Sequence, residues 1–316
     1  MRVLVTGGAG FIGSHLVDRL LDSGFRITIF DNFSTGSYSN LEQSLGNPSL
    51  EIIKGDLLNP EQTSKALGDC EIVFHMAANP EVRGWLASPT EHFKQNIEAT
   101  FNLLEAIRKR GNLKTFIFTS SSTVYGEPKT LPTPEDYAPL KPISIYGASK
   151  LASEALISSY ASLYSFKCII YRLANVIGSR SNHGVIFDFI KKMRENREEL
   201  EILGDGTQTK SYLYIDDCIE GLIIGMEKSA EETEFFNIGS DDQVNVLRIA
   251  QIVKEEMGLP DTKIKFREEY RNGRGWAGDV KIMFLDSSHL KSLGWSPKYS
   301  SEEAVRKTVK NILNRN

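Results

Sequence analysis

Three spaced glycines near the N-terminus constrain the fold of this chain more than any other feature. Gly7, Gly10 and Gly13 directly follow a short apolar run, Arg2–Thr6. After them, apolar residues recur at helical spacing through Phe11–Asp22. Glycines between a strand and a helix let backbone N–H groups and the helix N-terminus approach a pyrophosphate. The sequence therefore predicts a nucleotide-binding strand–turn–helix unit at this end of the chain.

Short apolar runs and helical patterns continue to alternate through the first half. Further strands are predicted at Ile27–Phe30, Ile52–Lys54, Glu71–His75, Thr115–Thr119 and Cys168–Tyr171, with long helices at Glu91–Lys109 and Tyr146–Tyr164. This alternation is typical of an α/β fold with a parallel sheet covered on both faces. We expect a Rossmann-type, doubly wound domain over residues 1–174, and a smaller substrate-side lobe over residues 175–316 that is interleaved with it.

An acidic residue after the second predicted strand indicates the cofactor. Asp31 lies about twenty residues beyond the glycine turn. A carboxylate at this place accepts hydrogen bonds from the adenosine ribose hydroxyls and repels a 2′-phosphate. The predicted cofactor is therefore NAD in preference to NADP.

Charge and composition exclude several classes of partner. The 41 Asp and Glu residues outnumber the 37 Lys and Arg residues, whereas a nucleic-acid or anionic-membrane partner needs a basic surplus. No stretch approaches the roughly 18 apolar residues of a membrane span, and the N-terminus lacks the apolar segment of a signal peptide. The three cysteines are scattered and the histidines show no metal-ligand spacing. We expect a cytoplasmic protein with no metal.

A tyrosine and a lysine four residues apart predict the chemistry, because a helix places both side chains on one face. The sequence contains three such pairs, Tyr125–Lys129, Tyr137–Lys141 and Tyr146–Lys150. Pro128 and Pro139 disfavour a helix in the first two. Only Tyr146–Lys150 opens a helical stretch without proline.

These motifs together resemble the extended branch of the short-chain dehydrogenase/reductase superfamily. The segment Ser120-Ser-Ser-Thr-Val-Tyr-Gly126 matches the pattern Ser-Ser-x-x-Val-Tyr-Gly of that branch. The match implies that Ser121 is the catalytic hydroxyl, beside Tyr146 and Lys150. The cofactor-binding residues that the resemblance implies are Gly7, Gly10, Phe11, Ile12, Gly13, Asp31, Asn32, Asp56, Leu57, Ala77, Ala78, Asn96, Tyr146 and Lys150.

Proton transfer assigns the roles within this group. A free tyrosine has a pKa of about 10, which is too high for a base at pH 7. A nearby ammonium and a positive nicotinamide ring both favour the phenolate and lower that pKa. Tyr146 is expected to take the proton of a sugar hydroxyl, Lys150 to hold the nicotinamide ribose, and Ser121 to hydrogen-bond the reacting oxygen.

The two residues after Ser121 narrow the reaction further. Sugar-nucleotide 4,6-dehydratases of the family carry an Asp-Glu pair there, whereas this chain has Ser122 and Thr123, which argues against dehydration. The remaining pattern resembles the UDP-glucose/UDP-galactose 4-epimerases, most closely their compact archaeal-type members. This resemblance implies oxidation at C4 to a 4-keto sugar, rotation of the ketone and return of the hydride. It also implies a homodimer formed through Asn96–Lys109 and Leu151–Tyr164.

The resemblance places a UDP-sugar against the second lobe. The residues implied are Thr123, Asn175, Val185, Ile186, Phe187, Lys210, Arg274, Asp279 and Met283. Lys210 replaces a family arginine and so loses the bidentate fork. Two extra residues after Arg274 shift that arginine relative to the family pattern.

Several alternatives stay open. Arg83 fits two roles equally, contact with a sugar carboxylate or a cap on its own loop. Met283 is expected to border the pocket for the C2 substituent of the sugar, and its alternative is packing in the core. UDP-glucuronate and UDP-N-acetylhexosamine 4-epimerases and nucleotide-sugar ketoreductases share the same chemistry. An inactive, NAD-sensing member is disfavoured because Ser121, Tyr146 and Lys150 are all present.

Overall fold

A seven-stranded sheet lies at the centre of the computed structural model, which describes residues 1–83 and 88–314 of the chain. In chain order the strands are β1 (Arg2–Thr6), β2 (Arg26–Asp31), β3 (Leu50–Lys54), β4 (Ile72–His75), β5 (Thr115–Ser121), β6 (Lys167–Leu173), β7 (Asn175–Ile177), β8 (Glu199–Leu203), β9 (Thr209–Lys210), β10 (Tyr212–Tyr214), β11 (Thr233–Ile238), β12 (Val244–Asn245), β13 (Lys263–Arg267) and β14 (Ile282–Met283). The central sheet has the order β11-β6-β5-β4-β1-β2-β3, and all its neighbouring strands are parallel.

Helices cover both faces of this sheet. They are α1 (Phe11–Asp22), α2 (Pro60–Leu67), α3 (Pro89–His92), α4 (Ala99–Arg110), α5 (Ile145–Tyr164), α6 (Val185–Glu195), α7 (Ile215–Lys228), α8 (Val246–Met257), α9 (Ser288–Ser292) and α10 (Ser301–Leu313). A π-helical turn, Phe93–Glu98, joins α3 to α4, and 3₁₀ turns lie at Tyr38–Leu41, Ser122–Tyr125 and Arg271–Gly273. Among the described helices, none is both long and apolar enough to cross a bilayer.

The apolar runs of the sequence supply two core layers, because alternate residues of a strand point to opposite faces. Val3 and Val5 of β1 pack in a cluster with α1 and α7, whereas Leu4 packs in a second cluster with α4 and α5. Strands buried on both faces are typical of a doubly wound parallel sheet. The predicted α/β fold is confirmed.

The second half of the chain forms a region of its own and also returns to the sheet. A separate apolar cluster joins α6, α8, α10 and β8. However, β11 pairs with β6 along its whole length, and α7 packs on α1. The two regions are therefore interleaved, while the division at residue 174 stays a prediction.

Candidate active site

A cleft of about 920 Å³ lies between the carboxyl ends of the central strands and the second region. In doubly wound sheets this edge is where ligands bind. Of the residues predicted from the sequence, those that line the cleft are Gly7, Gly10, Phe11, Ile12, Gly13, Asp31, Asn32, Asp56, Leu57, Ala77, Ala78, Ser121, Thr123, Tyr146, Lys150, Asn175, Val185, Ile186, Phe187, Lys210, Asp279 and Met283. The fold therefore brings nearly all of them to one site.

The glycine turn is shaped to hold an anion. Gly7 has a φ of +69°, and a Cβ there would lie 2.7 Å from the backbone nitrogen of Ala77. A Cβ on Gly13 would lie 2.2 Å from the carbonyl oxygen of Gly7. Within residues 1–83 and 88–314, no side chain caps the start of α1, whose N-cap is Gly10, so the first N–H groups of this helix can bind a pyrophosphate. These residues fit a dinucleotide.

Asp31, the last residue of β2, is hydrogen-bonded to the glycine turn. Its Oδ2 accepts a hydrogen bond from the backbone N–H of Ala9 at 2.9 Å, and its Oδ1 accepts one from Phe33 at 2.8 Å. Burial raises the pKa of Asp31 despite these two bonds. Each carboxylate oxygen has a further lone pair, so the group can still accept from ribose hydroxyls in the cleft.

Asn96 lies outside the lining of the cleft as the structure describes it, and its direct contact with the cofactor stays a prediction. It lies in the π-helical turn, which packs on α5, and is buried. Its Oδ1 accepts from the backbone N–H of Asn79 at 2.7 Å, and its Nδ2 donates to Ser149 Oγ at 2.8 Å. Asn96 therefore holds the loop after β4 against α5 from behind.

Ser121, Tyr146 and Lys150 meet where β5 ends beside the start of α5. The Ser144 side chain caps α5, accepting from the N–H of Gly147 at 3.0 Å. The side chains of Tyr146 and Ser121 are hydrogen-bonded. Lys150 Nζ donates to the carbonyl oxygen of Thr119 at 2.9 Å. The helix and the strand thus present a phenol, a hydroxyl and an ammonium to one point of the cleft.

Burial dominates the ionisation of this group. It raises the pKa of Tyr146 to about 12, although the hydrogen bond with Ser121 opposes the rise. Burial also lowers the pKa of Lys150 to about 7, against the charge of Glu154. The protein's own residues therefore do not produce the predicted fall in the tyrosine pKa, because desolvation outweighs the hydrogen bond with Ser121.

The other two Tyr-x-x-x-Lys pairs serve structural contacts. The buried Tyr125 hydroxyl donates to Asn237 Oδ1 at 2.8 Å and accepts from Arg172 at 3.0 Å. The Tyr137 hydroxyl accepts from the backbone N–H of Lys129 at 3.1 Å. In the part of the chain that the structure describes, neither tyrosine lines the cleft.

Lys210 and Asp279 form an ion pair in the lining of the cleft, in which Asp279 is buried and Lys210 is partly buried. The indole ring of Trp276 lies beside it, with its centroid 5.2 Å from Lys210 Nζ. Trp276 also lines the cleft and was missed from the sequence. The sequence carries a signal for it, because Trp276 lies between Arg274 and Gly278, where this chain has two more residues than the family pattern.

Arg274 lies outside the described lining of the cleft, and its contact with the substrate stays a prediction. Its guanidinium pairs instead with Glu127, which follows the 3₁₀ turn after β5. Glu127 lies far from Arg274 in the sequence, so the spacing of the family motif does not indicate this ion pair.

Arg83 is engaged by its own loop and by α6. Its Nε and NH2 donate to the two carboxylate oxygens of Glu81 at 2.9 and 3.2 Å. Its NH1 donates to Asp188 Oδ2 at 3.3 Å. Two carboxylates therefore contact one guanidinium in the lining of the cleft. These contacts fit the predicted role of Arg83 as a cap on its own loop better than a role in binding a sugar carboxylate.

Known proteins resemble this chain over its whole length. The family model described as the NAD dependent epimerase/dehydratase family matches residues 3–239. A UDP-glucose 4-epimerase of Mycolicibacterium smegmatis is 32% identical, over 100% of this chain and 99% of that protein. A crystal structure of a UDP-galactose 4-epimerase is 43% identical with a TM-score of 0.89, covering 100% and 99% of the two chains. A UDP-glucuronic acid 4-epimerase from Bacillus cereus, solved with UDP-glucuronic acid and NAD, is 34% identical with a TM-score of 0.90 and covers both chains fully.

Proposed function

Since the chain belongs to the NAD dependent epimerase/dehydratase family, we propose that it interconverts UDP-glucose and UDP-galactose by NAD-dependent epimerisation at C4. The observation that carries this proposal is the meeting of Ser121, Tyr146 and Lys150 in a cleft that begins at the glycine turn. NAD, when bound, accepts a hydride from C4 of the sugar and returns it. The whole-length similarity to UDP-glucose and UDP-galactose 4-epimerases supports the same reaction.

The side chains of this group divide the proton transfer between them. The positive charge of a bound nicotinamide ring would favour the phenolate of Tyr146. Tyr146 then receives the proton of the C4 hydroxyl at its phenolic oxygen and gives it back when the alcohol is restored. Thr123 Oγ1 donates to Ser121 Oγ at 3.0 Å, so the proton of Ser121 is directed away from Thr123 and can bind the C4 oxygen. Lys150 uses one of its three N–H donors on Thr119, which leaves two for ribose hydroxyls.

The surroundings of Arg83 support a neutral hexose in preference to a uronic acid. Its guanidinium is paired with both Glu81 and Asp188, so it does not offer an unpaired positive charge. A carboxylate brought to this part of the cleft would face two like charges. We therefore place UDP-glucose and UDP-galactose ahead of UDP-glucuronate as substrates.

The test is to incubate the purified protein with UDP-galactose, with and without added NAD, and to identify the hexose after acid release. We expect glucose to form until the two sugars reach equilibrium, with no net reduction of NAD. A nucleotide-sugar ketoreductase would instead consume reduced cofactor in proportion to product. Absence of interconversion with NAD present contradicts the proposal, and parallel incubations with UDP-glucuronate and UDP-N-acetylglucosamine test the alternatives.

We also propose that two copies associate through α4 and α5. These helices carry exposed apolar side chains, namely Phe101, Leu163 and Tyr164. Exposed apolar side chains grouped on one surface mark an association site. Light scattering should give twice the mass of one chain, and Leu163→Glu should reduce the measured mass to that of a single chain.

A further inference from the structure

A buried ion pair lies directly behind the turn that carries Ser121. Glu154 of α5 and Arg172 of β6 are 3% and 4% exposed. Arg172 NH2 donates to Glu154 Oε2 at 2.8 Å, and its Nε donates to Oε1 at 3.2 Å. Such a pair is costly to bury unless its remaining donors and acceptors are satisfied.

Glu154 holds the residue before Ser121. The hydroxyl of Ser120 donates to Glu154 Oε1. Ser120 is also the direct neighbour of Arg172 in the register of β5 and β6. Lys150, one turn earlier in α5, binds the carbonyl oxygen of Thr119. Consecutive turns of α5 therefore hold consecutive residues at the end of β5.

Arg172 holds the other end of the turn. Its NH1 donates to the Tyr125 hydroxyl at 3.0 Å, and its guanidinium lies 4.9 Å from the ring centroids of both Tyr125 and Phe235. Tyr125 is the last residue of the 3₁₀ turn that begins directly after Ser121. The ion pair thus contacts the chain on both sides of Ser121.

We propose that the Glu154–Arg172 pair is a positioning device, which fixes the Ser121 hydroxyl relative to Tyr146 by holding both ends of the turn. Tyr125, Glu154 and Arg172 lie outside the described lining of the cleft, so they act through the Ser121 turn and do not touch the substrate. This role rests on the proposed function, because it matters to the rate only if Ser121 and Tyr146 share the reacting oxygen. A shift of about 1 Å in such a group can lower a rate about 100-fold.

The test removes the two anchors while leaving the ion pair in place. Ser120→Ala removes the bond to Glu154. Tyr125→Phe removes the bond to Arg172, together with the one to Asn237. Each change should lower kcat about 3- to 10-fold and both together about 10- to 100-fold, with KM for UDP-galactose changed less than about twofold. Ser153→Ala is the matched control, because Ser153 is a buried serine of α5 whose partners among the described residues are backbone oxygens only. It should keep the wild-type kcat.

Hydrogen exchange supplies a measurement that does not depend on activity. The amides of Ser122, Thr123 and Val124 should exchange faster in the double variant than in the wild type, and should be unchanged in Ser153→Ala. If the wild type epimerises UDP-galactose but the double variant keeps its kcat, the positioning role is overturned. An equal loss of kcat in Ser153→Ala also overturns it. If the wild type lacks epimerase activity, the proposed function fails, and unchanged exchange in the double variant separately overturns the anchoring.

Discussion

Lys150 Nζ donates to the carbonyl oxygen of Thr119 at 2.9 Å, so the helix that carries Tyr146 is bonded to the strand that carries Ser121. The ammonium is buried and lies 4.7 Å from the ring centroid of Phe118. The relative position of Tyr146 and Ser121 therefore depends on packing between a helix and a sheet, which is stiffer than a loop. Single substitutions in this group should consequently change the rate more than the fold.

Replacement of the proposed base gives the most direct test. Tyr146→Phe should lower kcat about 10²- to 10⁴-fold, because the ring stays while the proton acceptor is lost. Tyr137→Phe is the control and should keep the wild-type rate, since its hydroxyl accepts a hydrogen bond from the backbone N–H of Lys129, outside the described lining of the cleft. Tyr125→Phe should cause only the few-fold loss expected of a positioning residue. Near-normal turnover by Tyr146→Phe would contradict the mechanism.

Asp31 should determine the preference for NAD over NADP. Asp31→Ser removes the negative charge beside the adenosine ribose. The ratio of the dissociation constant for NADP to that for NAD should therefore fall towards one. It also removes acceptors for the N–H groups of Ala9 and Phe33, which should cost about 1–3 kcal/mol of stability. Titration calorimetry on both cofactors, below the melting temperature of the variant, measures the ratio. Equal binding of NAD and NADP by the wild type would refute this role.

Met283 should set the tolerance for a bulky group at C2 of the sugar. It lines the cleft and also packs with Val124 and Leu285, so its unbranched side chain can move within a shared boundary. We expect efficient turnover of UDP-galactose and weak turnover of UDP-N-acetylgalactosamine. Met283→Tyr should suppress the second activity and largely spare the first, with about 1–3 kcal/mol lost through overpacking.

The volume-conserving change Met283→Leu serves as the control and should retain both activities. An acetylated sugar that is the better substrate of the wild type would show that Met283 does not form this boundary. The same conclusion follows if Met283→Tyr is folded but loses both activities equally.

Trp276 and Arg274 should differ in their effect on substrate binding. The Trp276 indole lines the cleft beside Lys210, whereas Arg274 pairs with Glu127. Stacking of an aromatic side chain on a nucleobase contributes about 1–3 kcal/mol to binding. If Trp276 stacks on the uracil ring, Trp276→Ala should raise KM for UDP-galactose about 10-fold. Arg274→Ala should change KM less than about threefold. The reverse order would show that the arginine turns into the cleft when the substrate binds.

His75 should make the fold sensitive to acid. Burial and the charge of Lys150 lower its pKa to about 3, and its two ring nitrogens bond to the hydroxyls of Thr6 and Thr100. Between about pH 6.5 and pH 3 the unfolded chain binds a proton that the folded chain does not, so the free energy of unfolding falls as the pH falls. The contribution is at most about 1.4 kcal/mol per pH unit. His75→Gln should flatten this dependence in urea unfolding, and an unchanged slope would exclude the role.

Local patterns predicted the parts of the site that neighbouring residues in the sequence define. The glycine turn, Asp31 and the Tyr146–Lys150 pair each depend on a few successive residues, and all of them line the cleft. Contacts between distant residues were not accessible in this way. Family spacing could not show that Arg274 faces Glu127, because nothing near Arg274 in the sequence indicates that partner.

Asn96 shows a related limit. Its helix was predicted, yet a π-helical turn and the hydroxyl of Ser149 decide which way its amide faces. Only packing between two helices fixes that choice. The ion pair of Glu154 and Arg172 was likewise invisible, since a helix and a strand bring the two residues together.

The pairing of β11 with β6 has a consequence for synthesis of the protein. A nascent chain leaves the ribosome from its N-terminus, so six strands of the sheet emerge before Thr233–Ile238 has been translated. Throughout that interval β6 presents an apolar, unpaired edge, which is a template for aggregation. A truncated message that ends near residue 174 would therefore yield an aggregation-prone fragment. During synthesis of the full chain, chaperones would need to cover the exposed edge of β6 until translation reaches Ile238.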